Sequence, residues 1–527
     1  MKVLITDKIN ETAGKFFDGV AEVDFLPTMS EDELAEKIKD YDALMIRSQT
    51  KVTPKILENA KKLKIIGRAG VGVDNIDINS ATENGIIVVN SPEGNTTAAS
   101  EHTIALMLSM ARHIPSAAMS MKEGKWERSK FTGIELFQKT LGIIGLGKIG
   151  ARVAKTSLAL GMRVIVHDPY ASKEQVETLG CEYIPHLDDF WAECDFISVH
   201  VPKTRETTCL INKNTINRMK KGVRIINCAR GGIVEEKALK EAIEEGQVAA
   251  AAIDVFDGEP IKPENPLLSC EGDLTLTPHL GASTEEAQIN VAIDVAEQIA
   301  TVLKGGSAKS AVNIPSLKKE KLEPVKNYMK LAEDLGKFVR QYTKGSSQKI
   351  EITASGHLAE VDISPLKTAI LKGILSVSTE GVNYVNAPYI AQSKNITIND
   401  VKSNEKCSYA GLLSIKLDTK EESNTISGAL ITNKFPRIVA INGYTTSIEP
   451  SENILIVPHE NKPNMIGQVA TILGENSINI SMMQVSDDKN SKESIMIINI
   501  DSPIKEEINS KIKQIDGVID SKYINLK

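Results

Sequence analysis

Residues 141–150 read LGIIGLGKIG, and this stretch limits the fold more than any other. Leu141–Ile144 is a short apolar run of the kind buried in a parallel sheet. It enters Gly145-Leu146-Gly147-Lys148-Ile149-Gly150, a G-x-G-x-x-G turn, and a helical pattern follows (Ala151, Val153, Ala154, Leu158). A second apolar run, Met162–Val166, ends in Asp168. Each glycine has a task in a dinucleotide site. Gly145 makes the tight turn, Gly147 admits a pyrophosphate close to backbone, and Gly150 lets helix sit on strand. The helix start offers N–H groups and partial positive charge to the phosphates. Asp168 can accept hydrogen bonds from ribose hydroxyls and repels a 2′-phosphate, so NAD is expected over NADP. A lone glycine motif is weak evidence. Strand, turn, helix, second strand and terminal acid in register are not.

The same alternation fills residues 1–97, with expected strands at Val3–Thr6, Glu22–Leu26, Ala43–Arg47, Lys64–Gly67 and Ile86–Asn90. Strands alternating with helices read as a second doubly wound parallel sheet, with ligands beyond the carboxyl ends of its strands. Those ends carry Arg47 and the run Arg68-Ala69-Gly70-Val71-Gly72, a glycine turn beside a cation that can hold a carboxylate or phosphate. An ordinary turn with a surface arginine fits the same residues. Residues 98–121 are expected as one long amphipathic helix.

Three strand ends after the glycine motif carry reactive side chains: Arg230 in CARGG, Glu259 in DVFDGEP and His279 in TPHLG. Oxidation of a 2-hydroxy acid needs a base with a pKa near neutrality, and histidine suits. A carboxylate behind the imidazole favours its charged form, the part suited to Glu259. A planar two-pronged cation suits a carboxylate, which is arginine rather than lysine. Taken singly, each has a structural explanation; together behind a dinucleotide turn they read as a catalytic set.

With 527 residues and a net charge of −7, the chain has room for several cores and is a poor partner for nucleic acid or anionic membrane. Six scattered cysteines without C-x-x-C spacing predict no metal site or disulfide framework. The start, MKVLITD, reads as a strand rather than a signal peptide, and no apolar run approaches membrane-span length. A soluble, cytoplasmic, multidomain protein is expected.

The pieces RAGVGVDNID, SPEGNTTAASEH, GLGKIG, NCARGG, DVFDGEP and TPHLGAST resemble the D-2-hydroxyacid dehydrogenase family. With IRSQTKV (46–52) and GKWERSKFTG (124–133), the chain is similar to its long-chain, 3-phosphoglycerate-acting branch. The resemblance implies NAD-dependent oxidation of 3-phosphoglycerate to 3-phosphohydroxypyruvate, catalysed by Arg230, Glu259 and His279. It implies cofactor contacts at Val71, Gly145, Gly147, Lys148, Ile149, Gly150, Asp168, Cys228, Ala229, Arg230, Asp254, His279, Gly281 and Ala282. Substrate contacts are implied at Arg47, Gly70, Val71, Gly72, Arg230 and His279, with Arg128 supplied by a neighbouring subunit of a homo-oligomer, dimer or tetramer. A relaxed 2-hydroxyacid dehydrogenase and a non-catalytic NAD-binding scaffold are the other readings.

The resemblance also divides the chain: a discontinuous substrate-binding domain (1–97 plus 286–314), a Rossmann-type NAD-binding domain (98–285), an α+β intervening domain (316–450) and an ACT domain (452–527). Pro315 and Lys318–Lys321 are expected as a linker. The last segment alternates strand, helix, strand, strand, helix, strand, which predicts a four-stranded sheet with helices on one face. There His459, Asn461 and Asn479 would hold L-serine as an effector. Asn464 stands where the family has glycine, a substitution that a left-handed backbone tolerates but that adds bulk.

Overall fold

A computed structural model of the chain describes residues 1–314, 317, 319–403, 407–487 and 492–527. Pro315 and Lys318 of the expected linker lie outside the described residues; Lys319–Leu322 is a helical turn, and Lys321 pairs with Asp362 at 2.7 Å.

The first sheet has five parallel strands in the order Glu22–Phe25, Lys2–Ile5, Ala43–Ile46, Ile65–Arg68, Ile87–Asn90. Its central strands are apolar on both faces, as a sheet covered by helices on each side requires. One covering is distant in sequence. The helix Glu285–Leu303 sends Val291, Val295 and Ile299 into the same cluster as Val3, Ile5, Met45 and Ile65. Asn313 fastens the returning chain, accepting the Val88 N–H at 2.9 Å and donating to Ile86 O at 2.8 Å.

The second sheet has seven parallel strands in the order Leu274–Leu276, Val248–Ile253, Val223–Asn227, Phe196–Val199, Thr140–Ile144, Arg163–His167, Glu182–Tyr183. The order reverses between Phe196–Val199 and Thr140–Ile144, the switch point where such sheets bind dinucleotides.

The expected long helix is two helices, Thr96–Ala111 and Ile114–Lys122, broken at His113, whose φ is +52°. Pro115 explains the break. Its ring would crowd the carbonyl of Ala111, four residues back, and it has no N–H to give it. That carbonyl instead accepts from Ile134 N at 2.9 Å, and His113 Nδ1 lies 2.7 Å from Asp273.

Beyond residue 319 two further sheets share one core. The third runs Thr397–Ser403, Lys349–Gly356, Gly411–Asp418, Ser423–Ile431, Phe435–Ile441, Tyr444–Ile448, antiparallel except for its first pair. The fourth is antiparallel: Ile480–Asp487, Glu493–Ile500, Asn453–Glu460, Lys522–Asn525. The last of these strands is confined to Lys522–Asn525, because residues 517–519 fold across the end of its neighbour through Glu460 N to Gly517 O and Ile519 N to Pro458 O.

Helices cover one face of the fourth sheet through Leu455, Val457, Met496 and Ile498. The other face is not open to water. Ile454, Ile456, Ile495, Ile497 and Ile524 join the core built on the helix Met329–Tyr342. At roughly 1.5–3 kcal/mol per buried aliphatic side chain, these five contribute roughly 8–15 kcal/mol before entropy, the scale of a domain core rather than a loose contact. Gln341 adds a paired amide seam, donating to Asn525 O at 2.6 Å and accepting from Asn525 N at 3.0 Å. No helix of the described residues is long and apolar enough to cross a membrane.

Candidate active site

The buried strand Thr140–Ile144 delivers the chain into Gly145, whose φ of +93° a side chain would strain. Gly147 caps the helix Lys148–Ala159, and a Cβ there would meet nothing within 4 Å. The open space beside a helix start fits a diphosphate. At Gly150 a Cβ would land on the carbonyl oxygen of Gly145, so only glycine allows this helix to sit so close. Asp168 reaches back to the turn: its Oδ2 accepts Leu146 N–H at 2.7 Å, and its Oδ1 accepts Tyr170 N–H at 2.8 Å. Lys148 pairs with Glu93 of the opposite lobe, while Ile149 packs into the core below. Cys228 and Ala229 follow the strand Val223–Asn227; burial pushes the Cys228 thiol up to about 12, so it stays protonated.

His279 stands in a turn organised by a residue far from it in sequence. Asp254 is fully buried, and its carboxylate accepts from Leu280 N at 2.7 Å, Gly281 N at 2.9 Å and the Thr277 hydroxyl at 2.6 Å. His102, on the helix Thr96–Ala111, lies 3.2 Å from the same carboxylate. Burial alone would raise the Asp254 pKa, but these donors outweigh it and hold the group below the ordinary range. His102, Cys228 and Asp254 bring ligand-type atoms within 4.8 Å of one another. With four donors already on Asp254, that carboxylate is a hydrogen-bond centre under the turn, and the Cys228 thiol lies beside it.

Within that turn His279 has φ +55°, and its N–H is donated to Asp254 O at 2.9 Å. Its Nδ1 is 2.6 Å from Glu259 Oε2, and Glu259 Oε1 accepts Phe256 N–H at 3.0 Å. Burial works to raise the Glu259 pKa; the hydrogen bonds from His279 and Phe256 overcome it and leave the carboxyl lowered. An ionised carboxylate only accepts, so Nδ1 carries the proton and Nε2 is the ring atom free to exchange one.

His279 and Glu259 line a cleft of about 940 Å³ together with Arg47, Arg68 and Arg230. Gly70, Val71, Gly72 and Ala282 form part of its wall. Arg230 Nε lies 3.3 Å from Asp74, and its Nη1 donates to Ala229 O at 2.7 Å. Arg68 is pushed down to about 10, by burial first and by the charge of Arg230 second; burial also lowers Arg47. Three guanidinium groups facing one partly buried cleft make a strong anion site. Gly70 and Gly72 matter here because a Cβ at either would strike the Arg68 or Arg230 guanidinium. Arg128 is not gathered in: it is exposed on the turn Arg128–Phe131, near Trp126, which is 80% exposed.

Sequence reading did not single out His102, Asn75 or the scaffold part of Asp254, and treated Arg68 only as the cation beside a glycine turn. Asp254 and His102 are 152 residues apart, and no local pattern joins them. Arg68 carried a usable signal, ending a fully apolar strand where ligands bind.

In the fourth sheet, His459 is buried, its Nδ1 is 2.8 Å from Glu460 O, and its buried Nε2 has no partner among the described residues. Asn461 N donates to Lys492 O and Asn479 N to Asp501 Oδ1, with both side chains exposed. The register places them apart. His459 pairs level with Ser494, whereas Ile480, next to Asn479, pairs with Ile500 at the far end of the same strand. One chain therefore does not bring Asn479 to His459. Asn464 is left-handed, with φ +71°, as the substitution for glycine requires.

Family models match three consecutive stretches: the D-isomer specific 2-hydroxyacid dehydrogenase NAD-binding domain over residues 104–281, the D-3-phosphoglycerate dehydrogenase intervening domain over 324–442, and the ACT domain over 454–517. The D-3-phosphoglycerate dehydrogenase of Methanocaldococcus jannaschii is 46% identical over 527 residues, covering 100% of both chains. That of Synechocystis sp. is 45% identical, covering 100% of this chain and 95% of its own. Among solved structures, the D-lactate dehydrogenase of Aquifex aeolicus, in complex with NAD and lactic acid, aligns with a TM-score of 0.51 at 29% identity. It covers 57% of this chain and 96% of its own. With its glycine turn, its cleft and both C-terminal modules matched along the full length, the chain belongs to the D-3-phosphoglycerate dehydrogenase family.

Proposed function

We propose that the chain oxidises D-3-phosphoglycerate to 3-phosphohydroxypyruvate with NAD, the step that opens serine biosynthesis. The observation that carries this reading is the His279–Glu259 pair in one cleft with the guanidinium groups of Arg47, Arg68 and Arg230. NAD, held along the glycine turn, supplies the hydride acceptor. His279 Nε2 takes the C2 hydroxyl proton, and the Glu259 carboxylate stabilises the resulting imidazolium without moving. Arg230 pairs with the substrate carboxylate and polarises the developing carbonyl; Arg47 and Arg68 hold the phosphate. With NAD bound, Asp168 would accept from the ribose hydroxyls, and Val71, Lys148, Ile149, Cys228, Ala229, Gly281 and Ala282 would border the cofactor, with Asp254 buried beneath them holding the Leu280–Gly281 turn. In this reading the substrate-binding domain is 1–97 plus 286–314, the cofactor domain 98–285, the intervening domain 316–450 and the regulatory domain 452–527. Arg128 serves the cleft of a second subunit.

Substitution of His279 by Ala tests the assignment. Turnover is expected to fall about 10³-fold, within the range lost with a general base, while NADH affinity by fluorescence titration stays near wild type. Equal turnover in the two proteins would sink it.

A second, regulatory reading rests on His459. With Nδ1 facing a carbonyl, Nε2 is a buried acceptor without a partner among the described residues, and the hydroxyl or ammonium of L-serine is a donor of the right kind. A serine site using His459, Asn461 and Asn479 takes the first two from one copy and the third from another, so it belongs to a homo-oligomer.

A further inference from the structure

Asn75 follows the glycine turn and lines the same cleft as Arg47 and Arg68. Its amide is used on both sides. Oδ1 accepts Nε–H of Arg68 at 2.9 Å, while Nδ2 donates to the backbone carbonyls of Arg47 at 2.7 Å and Thr50 at 2.6 Å. The orientation is forced, because a guanidinium only donates and a carbonyl only accepts. One neutral side chain therefore joins two strand ends that each carry an arginine. The far side of the 47–50 loop is held separately by Asp7, which accepts Arg47 N–H at 2.8 Å and Thr50 N–H at 3.2 Å.

The neutrality of this partner matters. Arg47, Arg68 and Arg230 repel one another across the cleft, and each needs something to fix it. Arg230 has the carboxylate of Asp74 at 3.3 Å. Arg68 is oriented by an amide instead of a directly paired carboxylate, and Asp74 and Asp7 act on it only as neighbouring charges, so its guanidinium stays available to an incoming anion.

We propose that Asn75 is the positioning residue that couples Arg47 and Arg68 into one anion clamp, and thereby sets the preference of the cleft for a phosphorylated 2-hydroxy acid over the same acid without phosphate. This rests on the reading of Arg47 and Arg68 as the phosphate end of the site.

The test uses the full chain and its Asn75→Asp and Asn75→Ala variants. Asn75→Asp keeps the shape, faces two carbonyls with a carboxylate and neutralises Arg68. Asn75→Ala removes the amide and adds no charge. The readout is the ratio of kcat/KM for phosphohydroxypyruvate to that for hydroxypyruvate, with NADH affinity and thermal melting measured alongside. The ratio is expected to fall about 10- to 100-fold in Asn75→Asp and about tenfold in Asn75→Ala, through KM of the phosphorylated substrate, with NADH affinity held. Inorganic phosphate should lose potency as a competitor by similar factors. If Asn75→Asp does not fold, the ratio in Asn75→Ala decides. A ratio unchanged while both substrates decline together assigns Asn75 to stability alone and overturns the proposal. A wild-type chain without any preference for the phosphorylated acid overturns the substrate reading, and this proposal with it; a wild-type preference that survives both variants overturns this proposal only.

Discussion

Glu259 Oε2 and His279 Nδ1 stand 2.6 Å apart across a gap of twenty residues in sequence, with the opposite carboxylate oxygen held by the Phe256 N–H. The pair fixes the imidazole tautomer and supplies charge to the imidazolium that proton removal creates. Replacing Glu259 by Gln keeps the shape and removes the charge. Turnover should fall about 100-fold, since the base loses both orientation and its counter-charge. The Glu259 carboxyl is held below its ordinary value, so the stabilisation that the ionised carboxylate gains from the His279 and Phe256 hydrogen bonds is complete above about pH 4.3 and is lost as pH falls through the lowered folded value. Melting temperatures of wild type and Glu259→Gln should therefore differ at pH 7 and converge under acid; a gap that widens below pH 4 contradicts the assignment.

Asp168 anchors the turn it follows, accepting Leu146 N–H at 2.7 Å. Replacing it with Ala removes both a ribose acceptor and a charge that repels a 2′-phosphate. The ratio of kcat/KM with NAD to that with NADP should drop about tenfold or more. An unchanged ratio would remove Asp168 from cofactor selection.

Gly336 and Gly373 lie where the helices Met329–Tyr342 and Ser364–Ser376 touch backbone to backbone. Gly336→Ala gains about 1 kcal/mol in helix propensity, but its Cβ would press on the Ile370 carbonyl, and overpacking costs about 1–3 kcal/mol. Packing should win. Calorimetry should show the transition of the C-terminal half moving down by several degrees; a rise would mean the two helices separate at little cost.

His459 presents a buried Nε2 without a partner among the described residues. His459→Ala should shift the L-serine dose–response at least about tenfold to higher concentration, the loss of one buried hydrogen bond to a charged ligand. A response identical to wild type would place any serine site elsewhere.

Local chemistry was readable and distant contacts were not. The turn Gly145–Gly150 is encoded in consecutive residues, and Arg230, Glu259 and His279 each follow an apolar strand, so topology alone directs them to one crevice. The His102–Asp254 contact spans 152 residues and obeys no period. Pro115 stood in plain view, yet apolar spacing ran on through it and masked the break at His113. The strand Thr397–Ser403 is exposed and polar at the sheet's edge, with no alternation to betray it. The unbroken apolar runs of Ile454–Val457 and Ile495–Ile498 held a hint that was not used: a sheet with helices on one face alternates, and one buried on both faces does not.

Steady-state NADH oxidation by the purified chain addresses the central claim most directly, comparing phosphohydroxypyruvate with hydroxypyruvate, pyruvate, glyoxylate and 2-oxoglutarate. Arg47 and Arg68, beyond the Arg230 that every 2-oxo acid can use, predict a kcat/KM for phosphohydroxypyruvate about 100-fold or more above the others, the discrimination that a desolvated charged contact provides. Activity confined to the unphosphorylated acids would contradict the account and leave a relaxed 2-hydroxyacid dehydrogenase in its place.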